Sequence, residues 1–420
     1  MQFSCVISKE LTADVVVIGG GTAGVFAAIS AARNGSKTIL IEKNSMLGGT
    51  MTAAGVNFPG LFFAWGKQII DGPCWEAIER TVALGGAVLP RISFHPKYHW
   101  QEQIRVNPFI YTTVLYQLCE EAGVHIIGNA MISHASEVEN GVSAIVTSKE
   151  GMFAINASVA IDASGDATLC QLLGFDMLKG QEQQPATLEN HISGYTADEI
   201  IFDRIRKSFD PEILPSHITA DDLIRYLEMS KINMHIPCVD ADTAEGRTQL
   251  EKKALFEMMK VVRFLRTIEG LESLTVDRIA QETGVRETKR IVGKHIITAE
   301  EYINGCEYSD AVCYAFYPID LHVQKGIEQR FHEENVVSKI PYRALIPERS
   351  RRIICAGRSV SSDRYANSAI RVEAVCMATG QVAGAAASVM LKENADAADI
   401  TYKGLCAALH SIGAIVPGEL

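Results

Sequence analysis

Hydrophobic and polar positions alternate between two periods along this chain. Asp14 to Ile18 (DVVVI) is a short β-branched apolar run, the pattern of a parallel strand buried on both faces. Six residues of glycine-rich chain follow, Gly19 to Gly24. Val25 to Arg33 then carries Ala27, Ala28, Ala31 and Ala32, which predicts a helix able to lie close against a sheet. Lys37 to Glu42 (KTILIE) predicts a second buried strand that ends in an acid. Strand, glycine turn, helix and strand make a βαβ unit opening an α/β domain. Helical spacing returns at Tyr111 to Ala122 (Val114, Leu115, Leu118, Cys119, Ala122) and leads into a strand at Val124 to Ile127. Val142 to Thr147 and Met152 to Ile161 predict a hairpin around Lys149-Glu150-Gly151. From about 180 to 340 the texture changes to more charge and fewer glycines. A long amphipathic helix with the stripe Leu250, Ala254, Met258, Val261 and Leu265 is expected there, opened by a capping box of Asp242 and Glu245. After Pro341 the chain returns to a strand (Arg352 to Ala356), a glycine turn and a small-residue helix, Val372 to Leu391. The pattern predicts an α/β protein: a discontinuous Rossmann-type domain built from 1–180 and 341–420, with an inserted α+β substrate domain at 181–340.

Composition narrows the function. The 420 residues are 47% hydrophobic and 21% charged, ordinary globular usage for more than one domain. The net charge of −11, with no long basic run, disfavours a nucleic-acid or anionic-membrane surface and leaves small molecules as the default partner. None of the ten cysteines forms a C-x-x-C or a zinc or iron–sulfur spacing, so no metal is expected and reduced thiols of a cytoplasmic protein are. Val15 to Ala32 and Ala374 to Leu391 have membrane-spanning length. The glycines of the first, and Thr379, Gly380, Gln381 and Gly384 of the second, read as buried elements of a soluble fold.

Gly19 to Gly24 fits G-x-G-x-x-G, and Glu42 lies 18 residues past Gly24 at the end of the next strand. Glycines permit close backbone approach, a helix N-terminus offers unpaired N–H groups to a pyrophosphate, and the acid accepts ribose hydroxyls. An acid there repels a 2′-phosphate, so the expected ligand carries a free adenosine ribose, as FAD or NAD does. Gly48-Gly49-Thr50 turns the chain back directly after the acid, where an NAD domain usually continues into a third strand. Together with Asp162-Ala163-Ser164-Gly165-Asp166 and the run Cys355 to Ala387, these motifs resemble the FAD-dependent oxidoreductases of the glutathione-reductase-like superfamily. Within it, the chain resembles the broad FAD-dependent oxidoreductase family related to the flavoprotein subunits of fumarate reductase and succinate dehydrogenase. GVRETKRIVG (Gly284 to Gly293) and IPYRALIP (Ile340 to Pro347) extend the likeness over nearly the whole chain.

The resemblance implies that Gly19, Gly21, Thr22, Ala23 and Gly24 cradle the pyrophosphate, while Glu42, followed by Lys43, holds the ribose. Gly49, Thr50 and Thr52 would lie near pyrophosphate and isoalloxazine, and Ala163, Gly165 and Asp166 beside the dinucleotide. Gly357 and Arg358 would approach the ribityl and diphosphate. The helix beginning near Arg371 and Val372 would point its N-terminus at the flavin N1/O2 edge, where a reduced flavin is anionic. Two departures matter. Met51 stands where succinate dehydrogenase-like subunits carry the flavin-linking histidine, which excludes covalent attachment at that position, and a second glycine fingerprint for NAD(P)H is absent. Candidate substrate groups are His95, His99, Arg286, Arg290, His295, Asp320, His322, Tyr342, Arg343 and Arg371, with His322 and Arg371 chosen as catalytic. Asp320 and His322 share one face of an extended PIDLH segment, where the acid could tune the imidazole. The arginines of GVRETKR could equally pair with Glu282 or Glu287. The expected function is hydride transfer between a small-molecule substrate and non-covalently bound FAD. An electron-transfer partner and an oligomer stay open, and the alternative is a flavoprotein subunit whose chemistry requires a partner protein.

Overall fold

A computed structural model describes residues 6–94, 99–238, 240–323 and 326–418. The chain opens with β1 (Ile7–Ile18), α1 (Thr22–Arg33) and β2 (Thr38–Ile41). After α2 (Pro108–Ala122) come β3 (His125–Ile127), β4 (Met131–Val138), β5 (Gly141–Ser148) and β6 (Gly151–Asp162). Next are β7 (Ala186–Ser193), β8 (Lys231–Ile236), α3 (Ala244–Leu265) and β9 (Thr275–Ile279). Last are β10 (Ile319–Val323), β11 (Gly326–Arg330), β12 (Ile353–Cys355) and α4 (Glu373–Glu393).

Strands β3, β2, β1, β6 and β12 pair in parallel in that order. Only the last turn of β6 meets β12; its first half pairs antiparallel with β5, which in turn pairs with β4. Ile18, Ile41, Asp162 and Cys355 stand in register at the carboxyl edge of the parallel part. Gly19, Glu42, Ala163 and Ala356 therefore leave the sheet side by side, the edge at which open α/β sheets bind ligands. The β-branched run of β1 explains its central place. Val15 and Val17 face one hydrophobic core and Val16 and Ile18 another, and all four are buried.

The helices α1 and α4 pack on one face of this sheet. A Cβ at Gly380 would sit 2.1 Å from the Ala23 carbonyl oxygen, and one at Gly384 2.1 Å from that of Ala27. The two helices thus touch backbone to backbone, and only glycine permits it. Ser30 Oγ donates to the Gln381 carbonyl at 2.7 Å and Ser388 Oγ to that of Ala31 at 3.1 Å, so polar groups inside the contact are satisfied. α4 is long and apolar enough to cross a membrane, and it is buried inside the protein.

A separate core draws on residues from Ala186 to Val285 and includes the three-stranded sheet β8-β7-β9. The α3 stripe Leu250, Ala254, Met258, Val261 and Leu265 is buried in it. The helix begins one residue later than the capping-box expectation. Thr243 is the cap, accepting from Gly246 N, and Asp242 instead pairs with Lys289 at 2.8 Å and Lys179 at 3.1 Å. Ile297, Val312, Ile319, Ile340 and Ile346 pack with the first core, so the second core ends well before residue 340.

Candidate active site

A cleft of about 640 Å³ starts at the carboxyl edge of the sheet and runs to the core that contains β7. Glu42, Lys43, Asn44 and Ala130 to Ile132 line one end. Gly19, Gly21, Thr22, Ala23, Gly49 and Thr50 face Ala163 to Asp166 and Ala356 to Arg358 across the middle. Val56, Phe58, Gln103, Arg286, Tyr317, Asp320 and His322 form the far end, with Arg371, Val372, Glu373 and Cys376 along its floor. Of the expected cofactor residues, all but Gly24 and Thr52 line this cleft. Those two act one layer back. A Cβ at Gly24 would fall 1.7 Å from the Gly19 carbonyl oxygen, so this glycine closes the loop, and Thr52 Oγ1 donates to the Leu47 carbonyl at 2.7 Å.

The glycine loop is built to receive something. Gly21 caps α1 with no side-chain hydrogen bond, and a Cβ there would meet nothing nearer than Gly49 Cα at 3.9 Å. Its bare face is open cleft. Val372 likewise caps α4 without a side-chain hydrogen bond, whereas α2 and α3 are closed by Asn107 and Thr243. Two helix N-termini without side-chain caps thus border one cleft, and the positive ends of both dipoles face it. Glu42 is buried; its carboxylate accepts from Gly20 N at 2.5 Å and Asn44 N at 2.7 Å. Burial raises its pKa, and these two N–H groups and Lys43 oppose the rise. Lys43 itself pairs with Glu282 at 2.8 Å. The set fits FAD: an acid at the ribose position, a bare glycine and two helix ends without side-chain caps, although at α4 the Ala374 N–H is already given to the Pro59 carbonyl at 2.6 Å.

The Asp162 to Asp166 loop is held from beneath. Buried Asp162 accepts from Ser164 N, Ser164 Oγ and Cys170 N at 3.1, 2.7 and 2.9 Å. Arg358 fastens the loop from above, donating to the carbonyls of Gly165 and Val285 and pairing with Asp166 at 2.7 Å. Burial pushes the Asp166 carboxyl up, but Arg358 and Thr288 outweigh it and hold the group below its usual range. Arg358 therefore joins the loop to the segment carrying Val285 and Arg286 while it lines the cleft.

At the far end the structure brings four sequence candidates together: Arg286, Asp320, His322 and Arg371. His322 Nε2 meets Asp320 Oδ2 at 3.1 Å, and Gln329 donates to the other carboxylate oxygen at 2.8 Å. Burial lowers the His322 pKa to about 4 despite Asp320. Burial acts against Asp320 too, yet His322 and Gln329 bring it down to about 2. At neutral pH this is a neutral imidazole donating Nε2–H to a carboxylate, which leaves Nδ1 with a lone pair. The remaining candidates lie elsewhere. Arg290 donates to the Ser362 carbonyl, His295 faces Glu301 at 3.2 Å, Arg343 pairs with Asp310 at 2.9 Å and Tyr342 is core. Glu287 takes Arg364 at 3.1 Å and meets Arg290 at 3.9 Å, so the ion-pair reading holds for Arg290, whereas Glu282 takes Lys43 and Arg247 and neither acid pairs with Arg286. His95 lies outside the described residues, as does the side chain of His99.

Three groups in or beside the cleft are not among the sequence candidates. Glu373, the first residue of α4, faces Thr22 and Thr50, and burial pushes its carboxyl up to about 7 against the pull of those hydroxyls, Arg358 and Arg371. Gln184 Oε1 receives both His322 N and Arg371 Nη2, and His235 meets Arg286. An acid opening a small-residue helix was visible in the sequence; the other two are placed only by folding. The nine described cysteines are free thiols, and no group of three or more His, Cys, Asp or Glu among the described residues could hold a metal.

Comparison with known proteins places the chain by sequence and fold. A 94-residue stretch is 47% identical to fumarate reductase (cytochrome) of Shewanella frigidimarina, covering 20% of this chain and 16% of that protein. Digeranylgeranylglycerophospholipid reductase 1 of Methanosphaera stadtmanae is 30% identical over 201 residues, 46% of this chain and 48% of that protein. The chain thus matches no more than about half the length of these relatives. A geranylgeranyl bacteriochlorophyll reductase-like structure from Thermoplasma acidophilum superposes with a TM-score of 0.50 at 13% identity, over 96% of this chain and 83% of that one, and shows a shared fold. The sequence profile of the FAD dependent oxidoreductases matches residues 14–409, so with the dinucleotide cleft in place the chain belongs to that family of flavin enzymes.

Proposed function

We propose that this enzyme moves a hydride between a carbon of a small-molecule substrate and non-covalently held FAD, with the substrate lodged among Arg286, Tyr317, His322 and Arg371. The observation that carries this reading is the continuity of the cleft: one cavity joins the ribose acid Glu42 and the uncapped N-terminus of α1 to a cluster of chemically capable side chains. Bound FAD supplies the two-electron acceptor or donor. The chain supplies the rest. Glu42 accepts ribose hydroxyls, the N-termini of α1 and α4 stabilise negative charge, and Phe58 and Val56 exclude water at the far end. His322, oriented by Asp320, takes a proton at Nδ1 from a substrate hydroxyl or amine as its carbon gives up hydride, or returns one in the reverse direction. The buried, unreactive Met51 supports non-covalent binding.

The test is spectroscopic. The purified protein is expected to be yellow, to release FAD on acid treatment, and to bleach when the true substrate is found in an anaerobic metabolite panel. A protein that stays colourless after FAD reconstitution overturns the reading, and flavin recovered only on digested peptides overturns its non-covalent part.

A further inference from the structure

Building on that reading, we propose that the substrate is a small organic monocarboxylate, held through its carboxylate by Arg286 and Arg371. Both guanidinium groups line the far end of the cleft. Arg286 gives Nη1 to the Pro185 carbonyl and Nη2 to the ring Nε2 of His235 at 3.1 Å. Arg371 gives Nη2 to Gln184 Oε1 at 3.3 Å, and its buried Nε has no hydrogen-bond partner. All of these protein partners are neutral. Neither arginine has a carboxylate within ion-pair range among the described residues, whereas the other two cleft arginines do: Arg358 has Asp166 at 2.7 Å, and Arg247 has Glu282 at 3.2 Å.

The charge at this end is unbalanced. Asp320 is the nearest acid of the cluster, and its two oxygens are engaged by His322 and Gln329. His235 and His322 are kept neutral by burial, and Glu373 carries full charge only above about 7. Two arginines against Asp320 and, near pH 7, a half-ionised Glu373 leave a positive charge of less than one unit facing the cavity, Glu287 being already paired with Arg364. Burial and the nearby Arg371 both depress the Arg286 pKa, as expected for a cation short of its counter-charge. Desolvating an arginine without a carboxylate is costly, and an incoming anion removes that cost. The planar fork of a guanidinium matches the two oxygens of a carboxylate. A residual charge of no more than one unit matches a monoanion better than a phosphate, which carries nearly two near pH 7.

The experiment uses the FAD-loaded protein and follows the flavin absorbance difference and heat of binding on titration with acetate, glycolate and benzoate, with acetamide, benzamide and inorganic phosphate. At least one carboxylate is expected to bind and its amide to bind at least tenfold more weakly. Arg286→Met is expected to weaken the carboxylate by roughly ten- to a hundredfold, the loss of a charge-assisted hydrogen bond, and Arg286→Lys by less. Preference for the amide or for phosphate, binding of no carboxylate at tens of millimolar, or an Arg286→Met protein that keeps its flavin and its full carboxylate affinity overturns the proposal. Should either variant lose its flavin, the carboxylate-against-amide ratio of the unaltered protein decides alone. Bleaching by a neutral substrate leaves hydride transfer standing and removes the carboxylate; failure to hold FAD removes hydride transfer itself.

Discussion

Single residues in the cleft divide by what they oppose. Gly21 and Gly24 belong to one fingerprint and fail differently. Gly24→Ala drives a methyl into the Gly19 carbonyl, so the cofactor-free protein itself should lose thermal stability. Gly21→Ala places the methyl in open cleft, so the cofactor-free melting temperature should hold while FAD affinity falls at least tenfold. Equal behaviour of the two variants in paired melting and FAD titration would contradict this division. His322 is neutral above about 4, so any acid limb it sets on the rate of flavin reduction belongs near 4 and not near 6.5. His322→Ala should keep its FAD and slow reduction per bound flavin by roughly a hundredfold; a variant that loses flavin but keeps its rate per flavin has a structural histidine instead. Glu373 acts in the opposite sense on stability. Its folded pKa of about 7 lies above the ordinary 4.5, so the native state holds the proton between those values and cofactor-free stability declines as pH rises through about 7. Glu373→Gln should remove that decline. It should raise the midpoint of cofactor-free unfolding at pH 8 by an amount worth about 2 kcal/mol, allowing for water in the cleft, and leave it nearly unchanged at pH 4.

At the level of elements, what could be read from the chain was whatever is local or periodic. β1, α1 and β2 follow from a β-branched run, a small-residue helix and a second apolar run, and the buried stripe of α3 follows from its spacing. The pairing of β6 with β12 does not, because residues 162 and 355 meet only through tertiary packing. The same limit explains the site. Glu42 and the glycines declare themselves by spacing, but Arg286, Arg290, His295 and His322 look alike in sequence, and only the fold separates the two that reach the cleft. The α3 cap shows how a tertiary partner overrides a local rule: Asp242 has Lys179 and Lys289 to pair with, so Thr243 takes the capping role. The contact between α1 and α4 yields the element-scale prediction. Gly384→Val pushes two methyls toward the Ala27 carbonyl and must part the helices, so a cost of at least about 2 kcal/mol in urea unfolding is expected, with loss of flavin. A variant as stable as the parent would mean that the helices can separate freely.

For the whole molecule, the cleft is assembled from segments far apart in the chain: residues 18–58 supply the dinucleotide loop, 163–166 the facing strand end, 283–322 the far wall and 356–376 the floor. No one of these segments forms a site alone. Along a ribosome the order of appearance therefore matters. The fingerprint of α1 emerges first, yet the face of its helix from Ala23 to Ala27 lacks its packing partner until Gly380 and Gly384 have left the exit tunnel. Flavin capture is in this sense a late event, reserved for chains translated past the floor of the cleft at Cys376. A nascent chain stalled before residue 353 would carry every residue of the glycine fingerprint and still be unable to hold the cofactor.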